Sequence, residues 1–109
     1  MYLMKKPERT IDEIKRIEEL YDYQILDTES EIEYEDIVKL ASSICRTPIA
    51  VISLVDHERQ WFKSIIGLDT KETSREVSFC GHAIHQNDIF EVENAKADDR
   101  FSDNPLVTG

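Results

Sequence analysis

An α+β fold with an antiparallel sheet is predicted by three features of this 109-residue sequence. Two segments with apolar residues at helical spacing come first, and each is preceded by a Thr with a Glu three residues later, the pattern of a capping box. A proline and a β-branched apolar run follow, and they indicate a strand. A polar turn and another apolar run then predict an antiparallel partner for that strand.

The first predicted helix covers residues 11–23. Thr10 and Glu13 form its capping box, and an apolar residue recurs at every third position after Thr10. These residues are Ile11, Ile14, Ile17 and Leu20. Because this apolar stripe is narrow, the helix is predicted either to lie on one edge of a domain or to pair with a second subunit.

The second predicted helix covers residues 31–45. Thr28 and Glu31 repeat the capping pattern, and Pro48 ends the helical register. Its apolar positions are Ile37, Leu40, Ala41 and Ile44. These four residues are expected to face the core.

The strand at residues 49–55 is predicted to be central, because an uninterrupted apolar run is typical of a strand covered on both faces. A four-residue turn, 56–59, connects it to a second strand at 60–66, and residues 67–75 are predicted to form a polar loop. Alternating apolar residues predict another strand at 89–93.

Two short helical segments complete the prediction. Ser78 is the expected cap of a helix over residues 79–86. One helical turn is expected at 98–102, within a tail that is rich in turn-forming residues.

The charge balance restricts the partners of the chain. Acidic residues outnumber basic ones by 23 to 13, and the net charge is −10, so neither nucleic acid nor an anionic membrane is an expected partner. No apolar run approaches the roughly 20 residues that cross a bilayer, and no secretory signal is visible, so a cytoplasmic location without membrane insertion is predicted. The two cysteines are expected to be reduced thiols in that compartment.

The segment SFCGHAIH, residues 78–85, concentrates the chemically active side chains of the sequence. Its thiol and two imidazoles are competent zinc ligands, but helical spacing turns Cys80 away from His82 and His85, and no fourth ligand has a recognisable spacing. Cys80 at a helix start could also be a nucleophile, yet no third group that would orient a base is marked. No metal site, no catalytic residue and no cofactor are therefore assigned.

Six segments of the chain resemble, in their order, the GAF domains at the N-termini of bacterial signalling proteins such as histidine kinases, diguanylate cyclases and phosphodiesterases. The segments are YQILDT at 23–28, TPIAVISLVD at 47–56, RQWFK at 59–63, GL at 67–68, SFCGHAI at 78–84 and ADDRFSDNPLV at 97–107. The resemblance places an N-terminal extension at residues 1–10 and the domain, with its leading helix, at 11–109.

The resemblance implies a six-stranded antiparallel sheet, with helices on one side forming a dimer-capable bundle and a small-molecule pocket on the other side. In this template SFCGHAI borders the pocket and ADDRFSDNPLV is its lid. The candidate ligand-binding residues are Trp61, Phe79, Cys80, His82 and Phe101. The ligand is unidentified, and the domain is expected to regulate rather than to be an enzyme itself.

The resemblance also implies partners. A homodimer is expected, through the N-terminal helices or through an exposed edge of the sheet, because the chain stops at Gly109, before the last strands of the template. A fragment or an early-ending chain is therefore expected.

Two other functions remain open at this point. Cys80 could serve a thiol-based redox sensor or an enzyme similar to methionine sulfoxide reductases, although the further cysteines of that chemistry have no match in this sequence. A dimerisation scaffold without a ligand is the third reading.

Overall fold

Helices pack on both faces of a small antiparallel sheet in the computed structural model, which describes residues 5–108. The elements, in chain order, are helices α1 (Glu13–Asp22) and α2 (Ile32–Cys45), strands β1 (Ala50–Val55), β2 (Arg59–Ile66) and β3 (Glu72–Ser74), a 3-10 turn (Arg75–Val77), and helices α3 (Phe79–Ala83) and α4 (Pro105–Thr108). The predicted α+β class is confirmed. The first four residues of the predicted extension, and Gly109, lie outside the described residues.

Strand β2 is the central strand of the sheet, so the prediction of a central first strand is wrong. The sheet has the order β1-β2-β3, with both pairs antiparallel. The apolar run of β1 has another cause, because helices cover both of its faces. Leu54 shares a cavity with Tyr34 of α2, whereas the side chain of its neighbour Ser53 contacts Cys80 of α3.

A β-bulge interrupts the pairing of β1 with β2. Ile52 lies opposite Ser64 and Ser53 lies opposite Phe62, so Lys63 is the extra residue in β2. The loop between the two strands has three residues, 56–58, rather than the predicted four. Strand β3 occupies part of the predicted 67–75 loop, where its three residues pair with Arg59, Gln60 and Trp61.

The two long helices bury fewer apolar residues than their patterns predict. In α1, Ile17 and Leu20 are buried but Ile14 is exposed, and Ile11 is exposed in the turn before the helix. In α2 only Val38 is buried, whereas the predicted core face is exposed. That face consists of Ile37, Leu40, Ala41 and Ile44. The helix therefore turns a different side toward the sheet from the one that its apolar stripe indicates.

The last third of the chain forms turns and short helices. The prediction of a strand at 89–93 is wrong, since these residues have no regular secondary structure. Helix α3 ends at Ala83 rather than at 86, and its predicted cap is confirmed, because Ser78 Oγ accepts a hydrogen bond from the Gly81 amide at 3.0 Å. At the predicted turn, the amides of Phe101 and Ser102 both donate to the Asp98 carbonyl. No helix within residues 5–108 is long and apolar enough to cross a membrane.

Candidate functional site

Both predicted capping boxes hold a cation that comes from the sheet or from the segment that follows it. The N-caps of α1 and α2 are Asp12 and Glu31, and neither accepts a hydrogen bond from its helix through its side chain. Thr10 donates to the Glu13 carboxylate instead, at 2.9 Å. Thr28 accepts a hydrogen bond from the Lys63 ammonium at 2.8 Å.

The first of these cations is the buried guanidinium of Arg75. Its Nη1 and Nη2 atoms donate to the two carboxylate oxygens of Glu13 at 2.6 and 3.0 Å, and Nη1 also donates to the Asp56 carbonyl at 3.1 Å. Hydrogen bonds from Arg75, then from Arg16 and Thr10, hold the pKa of Glu13 far below its usual range, although burial opposes the shift. These contacts attach α1 to the 3-10 turn that holds Arg75 and to the β1–β2 turn.

The second cation is the ammonium of Lys63, whose side chain is fully buried. The bulge sends this side chain to the connection between α1 and α2, where it donates to the Glu29 carbonyl at 2.6 Å and pairs with Glu31 at 2.6 Å. The Tyr34 ring centre lies 5.5 Å from the ammonium. Sequence reasoning missed Lys63 and Arg75 as anchors, because a cation in a strand or a polar loop looks like a solvated side chain.

A third polar cluster connects the end of α1 to the β1–β2 turn. Tyr21 donates to Asp56 at 2.8 Å, and Arg59 donates to Asp56 at 3.1 Å and to both oxygens of Asp27 at 2.8 Å. Burial raises the pKa of Asp56, but the hydrogen bonds from His57, Tyr21 and Arg59 lower it by more, so the net shift is downward.

Three of the five predicted ligand-binding residues form one aromatic cluster. The Phe79 and Phe101 rings stack with their centres 4.0 Å apart, and the His82 ring meets Phe101 edge-on at 5.1 Å. The Arg100 guanidinium packs against this aromatic cluster, 4.9 Å from the Phe90 ring centre and 5.3 Å from the Phe101 ring centre. Phe101 is completely buried, so this arrangement is a packed core.

His82 is the titratable member of that cluster. Burial lowers its pKa, and a hydrogen bond with the Lys5 backbone opposes the shift, while Arg100 and His85 add to it. The neutral imidazole is therefore the form that the fold favours.

Cys80 lies on a different side of α3 from His82. Its Sγ atom is 3.0 Å from Ser53 Oγ, and it lines a 490 Å³ cleft between α1, β1 and α3. Cys45, the other thiol, is exposed on α2. The structure thus separates the thiol of SFCGHAIH from its first imidazole, and within residues 5–108 no group of three or more His, Cys, Asp or Glu residues is placed to hold a metal ion.

Trp61 lies at a third location. It lines a cavity of 740 Å³ between α2, β2 and the connection at residues 27–30. The cavity is amphipathic, because Lys39 and Lys71 lie beside Val38 and the apolar end of β2. The five candidate residues therefore do not converge on one pocket.

Together these features define an α+β module in which ion pairs attach two helices to a sheet. Its sequence matches a Pseudomonas aeruginosa protein named as a cyclic di-GMP phosphodiesterase, with 51% identity over 76 residues. The match covers 70% of this chain and 13% of the relative. No family model matches the chain.

This match corrects one prediction. We predicted that the domain is not an enzyme, but the protein that it matches is an enzyme by name. The match supports the coarser prediction of a domain from a signalling protein.

Proposed function

We propose that this chain is a regulatory module of a cyclic di-GMP signalling protein, that it acts in the cytoplasm, and that the phosphodiesterase activity of such a protein responds to it. The observation that carries the proposal is the 51% identity to a protein named as a cyclic di-GMP phosphodiesterase. The match takes up 13% of that relative, which is the size of one module within a longer chain. The resemblance to GAF domains supports the same role.

The proposed regulatory input is a small molecule. A 740 Å³ cavity has the size that is typical of ligand sites, and its lining combines apolar strand residues with lysines and carboxylates. The aromatic cluster around Phe101 would then support α3 rather than contact the ligand directly, since Phe101 is completely buried.

A second copy of the chain is the proposed protein partner. Ile14 in the first turn of α1 and Ile11 in the turn before that helix are both exposed. An exposed apolar residue on a helix suits pairing with another helix. This supports the predicted dimer through the N-terminal helices.

A chimera tests the proposed role. The matching segment of the Pseudomonas protein is replaced by this chain, and the rate of cyclic di-GMP hydrolysis is compared with that of a deletion variant and of the unaltered protein. We expect the chimera to hydrolyse cyclic di-GMP at a rate near that of the unaltered protein, and the deletion variant to differ from both.

A second chimera carries Arg75→Met, a substitution that breaks the buried ion pair with Glu13 and so disrupts the module. If the module regulates, this variant should shift the rate toward that of the deletion variant. Identical rates for chimera, Arg75→Met chimera and deletion variant would contradict the proposal. Native mass spectrometry of the purified chain then shows whether a small molecule is retained.

A further inference from the structure

Residues 5–10 form a strap that crosses α3 and leads to the start of α1. The strap has no regular secondary structure, and most of its residues are exposed. Its Pro7 ring packs directly on Gly81 of α3, where an added Cβ would lie 2.7 Å from Pro7 Cγ. The glycine in the middle of this helix therefore provides the space in which the strap lies.

Both imidazoles of the SFCGHAIH segment contact the strap. His85 Nε2 donates a hydrogen bond to the Glu8 carbonyl at 2.7 Å, and the His82 ring is hydrogen-bonded to the Lys5 backbone. The glycine and the two histidines, which sequence reasoning did not assign to a common role, thus hold one segment of the chain.

The other end of the strap is attached to the β1–β2 turn. Arg9 Nη1 donates to the His57 carbonyl at 2.6 Å, and Arg9 Nη2 pairs with the Glu58 carboxylate at 2.7 Å. Thr10 follows at once and donates to Glu13 in the first turn of α1. The strap therefore connects α3 directly to the start of α1.

Helix α3 depends on contacts of this kind. It has five residues, and a helix of that length is unstable without support from its surroundings. Ser78 caps its start, and Cys80 contacts Ser53 of β1 on the side of the cleft. The strap supports the Gly81 side and the residues just after the helix.

The strap is also the support that is released most easily. Its outer anchor is the ion pair of Arg9 with Glu58, whose side chains are 46% and 79% exposed, and exposed ion pairs contribute little to stability. Segments with few buried contacts open at a lower free-energy cost than the core of a fold. The strap can therefore open while the sheet and the buried Arg75–Glu13 pair stay in place.

We propose that the strap is a conformational switch: closed, it fixes α3, and open, it leaves α3 and residues 84–86 mobile. Because the strap is continuous with α1, a displacement of the start of α1 opens it and reaches α3. The coupling is reciprocal, so a change that displaces α3 also releases the strap. This device is independent of the proposed role in cyclic di-GMP signalling, and its test needs only the 109-residue chain.

Alkylation of Cys80 by iodoacetamide measures the opening. Cys45→Ser removes the exposed thiol and leaves Cys80, which is half-buried on α3, as the one thiol of the sequence. In this background Pro7→Gly removes the ring that packs on Gly81, and Arg9→Gln removes the outer anchor. We expect the chain with both substitutions to react about tenfold faster or more, because α3 opens locally.

Two controls separate release of the strap from a general loss of stability. The Phe62 amide, which donates to the Lys71 carbonyl at 3.0 Å in the sheet, should exchange with solvent at an unchanged rate. Lys6→Gln is the matched variant within the strap, because Lys6 and its partner Glu76 are both more than half exposed. It should leave the alkylation rate within about twofold of the unsubstituted rate.

Gly81→Ala drives the switch from the other end. The added Cβ meets the Pro7 ring, so the strap should be displaced, and trypsin should cleave after Arg9 about tenfold faster or more while cleavage after Lys15 of α1 keeps its rate.

Equal alkylation of Cys80 in the Pro7→Gly/Arg9→Gln and Lys6→Gln chains would overturn the proposal, because the strap would then not restrain α3. A faster alkylation with equally faster exchange of the Phe62 amide would also overturn it, since the whole fold would then open. Unchanged cleavage after Arg9 in the Gly81→Ala chain would contradict the reciprocal coupling.

Discussion

At the scale of single residues, the chain uses buried cations to hold its helices. Lys63 has no exposed side-chain surface and Arg75 is nearly as buried, yet each has a carboxylate partner from the helical part of the chain. A buried charge is tolerated only when it is paired and hydrogen-bonded. Removing one partner of a buried pair therefore destabilises the fold far more than replacing both partners by apolar residues. Glu13 and Glu31 therefore determine where their helices attach.

Glu13→Gln tests this attachment. The change leaves the Arg75 guanidinium buried with a neutral partner, so we expect the free energy of unfolding to fall by about 2–4 kcal/mol. Urea unfolding at pH 7 measures it. Glu58→Gln is the matched control, because Glu58 pairs with Arg9 at 2.7 Å but is 79% exposed, and we expect it to cost under about 1 kcal/mol. Equal losses in both variants would contradict an anchoring role for Glu13.

At the scale of elements, the sequence correctly predicted the helices and turns that are determined by neighbouring residues. Both long helices, the β1–β2 hairpin and the Ser78 cap are present, because spacing, turn chemistry and a cap residue act within a few positions. The predictions that were wrong concern segments whose structure depends on residues distant in the sequence. Strand β3 needs the β2 edge, and the alternating pattern at 89–93 has no strand beside it in the described fold.

The same distinction applies to the candidate site. Sequence reasoning separated Cys80 from His82 by helical spacing, and the structure separates them in that way. It did not show that Phe79 and Phe101 stack, or that Trp61 lies beside another cavity, because these positions depend on how distant segments pack. The apolar stripe of α2 misled for a related reason: periodicity shows that a face exists but does not show what covers it.

Gly81→Ala tests how tightly α3 is packed. In an open helix this change would stabilise by about 1 kcal/mol. In this helix a Cβ at Gly81 would lie 2.7 Å from both Pro7 Cγ and Ser78 Oγ, so we expect destabilisation by about 1–3 kcal/mol instead. Thermal unfolding gives the sign. Ser43→Ala on the exposed side of α2 is the control and should stabilise by a few tenths of a kcal/mol, about the difference in helix propensity. A stabilised Gly81→Ala variant would contradict the close packing of Pro7 and Ser78 against Gly81.

At the scale of the whole molecule, the polar clusters around Glu13 and Asp56 and the aromatic cluster with His82 act on stability in the same direction as pH falls. The pKa values of Glu13 and Asp56 are lowered in the fold, so both carboxylates contribute stability above their ordinary pKa values, near 4.5 and 3.8, and that stability is lost as they are protonated. The lowered pKa of His82 adds a loss that begins below its ordinary value of 6.5, because the unfolded chain binds the proton more readily.

We therefore expect the free energy of unfolding to fall in two stages between pH 7 and pH 3, and urea titrations at half-unit intervals measure it. His82→Gln should flatten the stage between about pH 6.5 and 5, where an ordinary imidazole titrates. Glu13→Gln should reduce the stage below about pH 4.5, where ordinary carboxyls titrate, and the part that remains is the contribution of Asp56. The opposite sign, a chain that gains stability on acidification, would mean that relief of the repulsion within a chain of net charge −10 outweighs the loss of these contacts. The buried pair of Glu13 and Arg75 favours a loss of stability on acidification, because a partner that is removed from water interacts more strongly than charges dispersed over the surface.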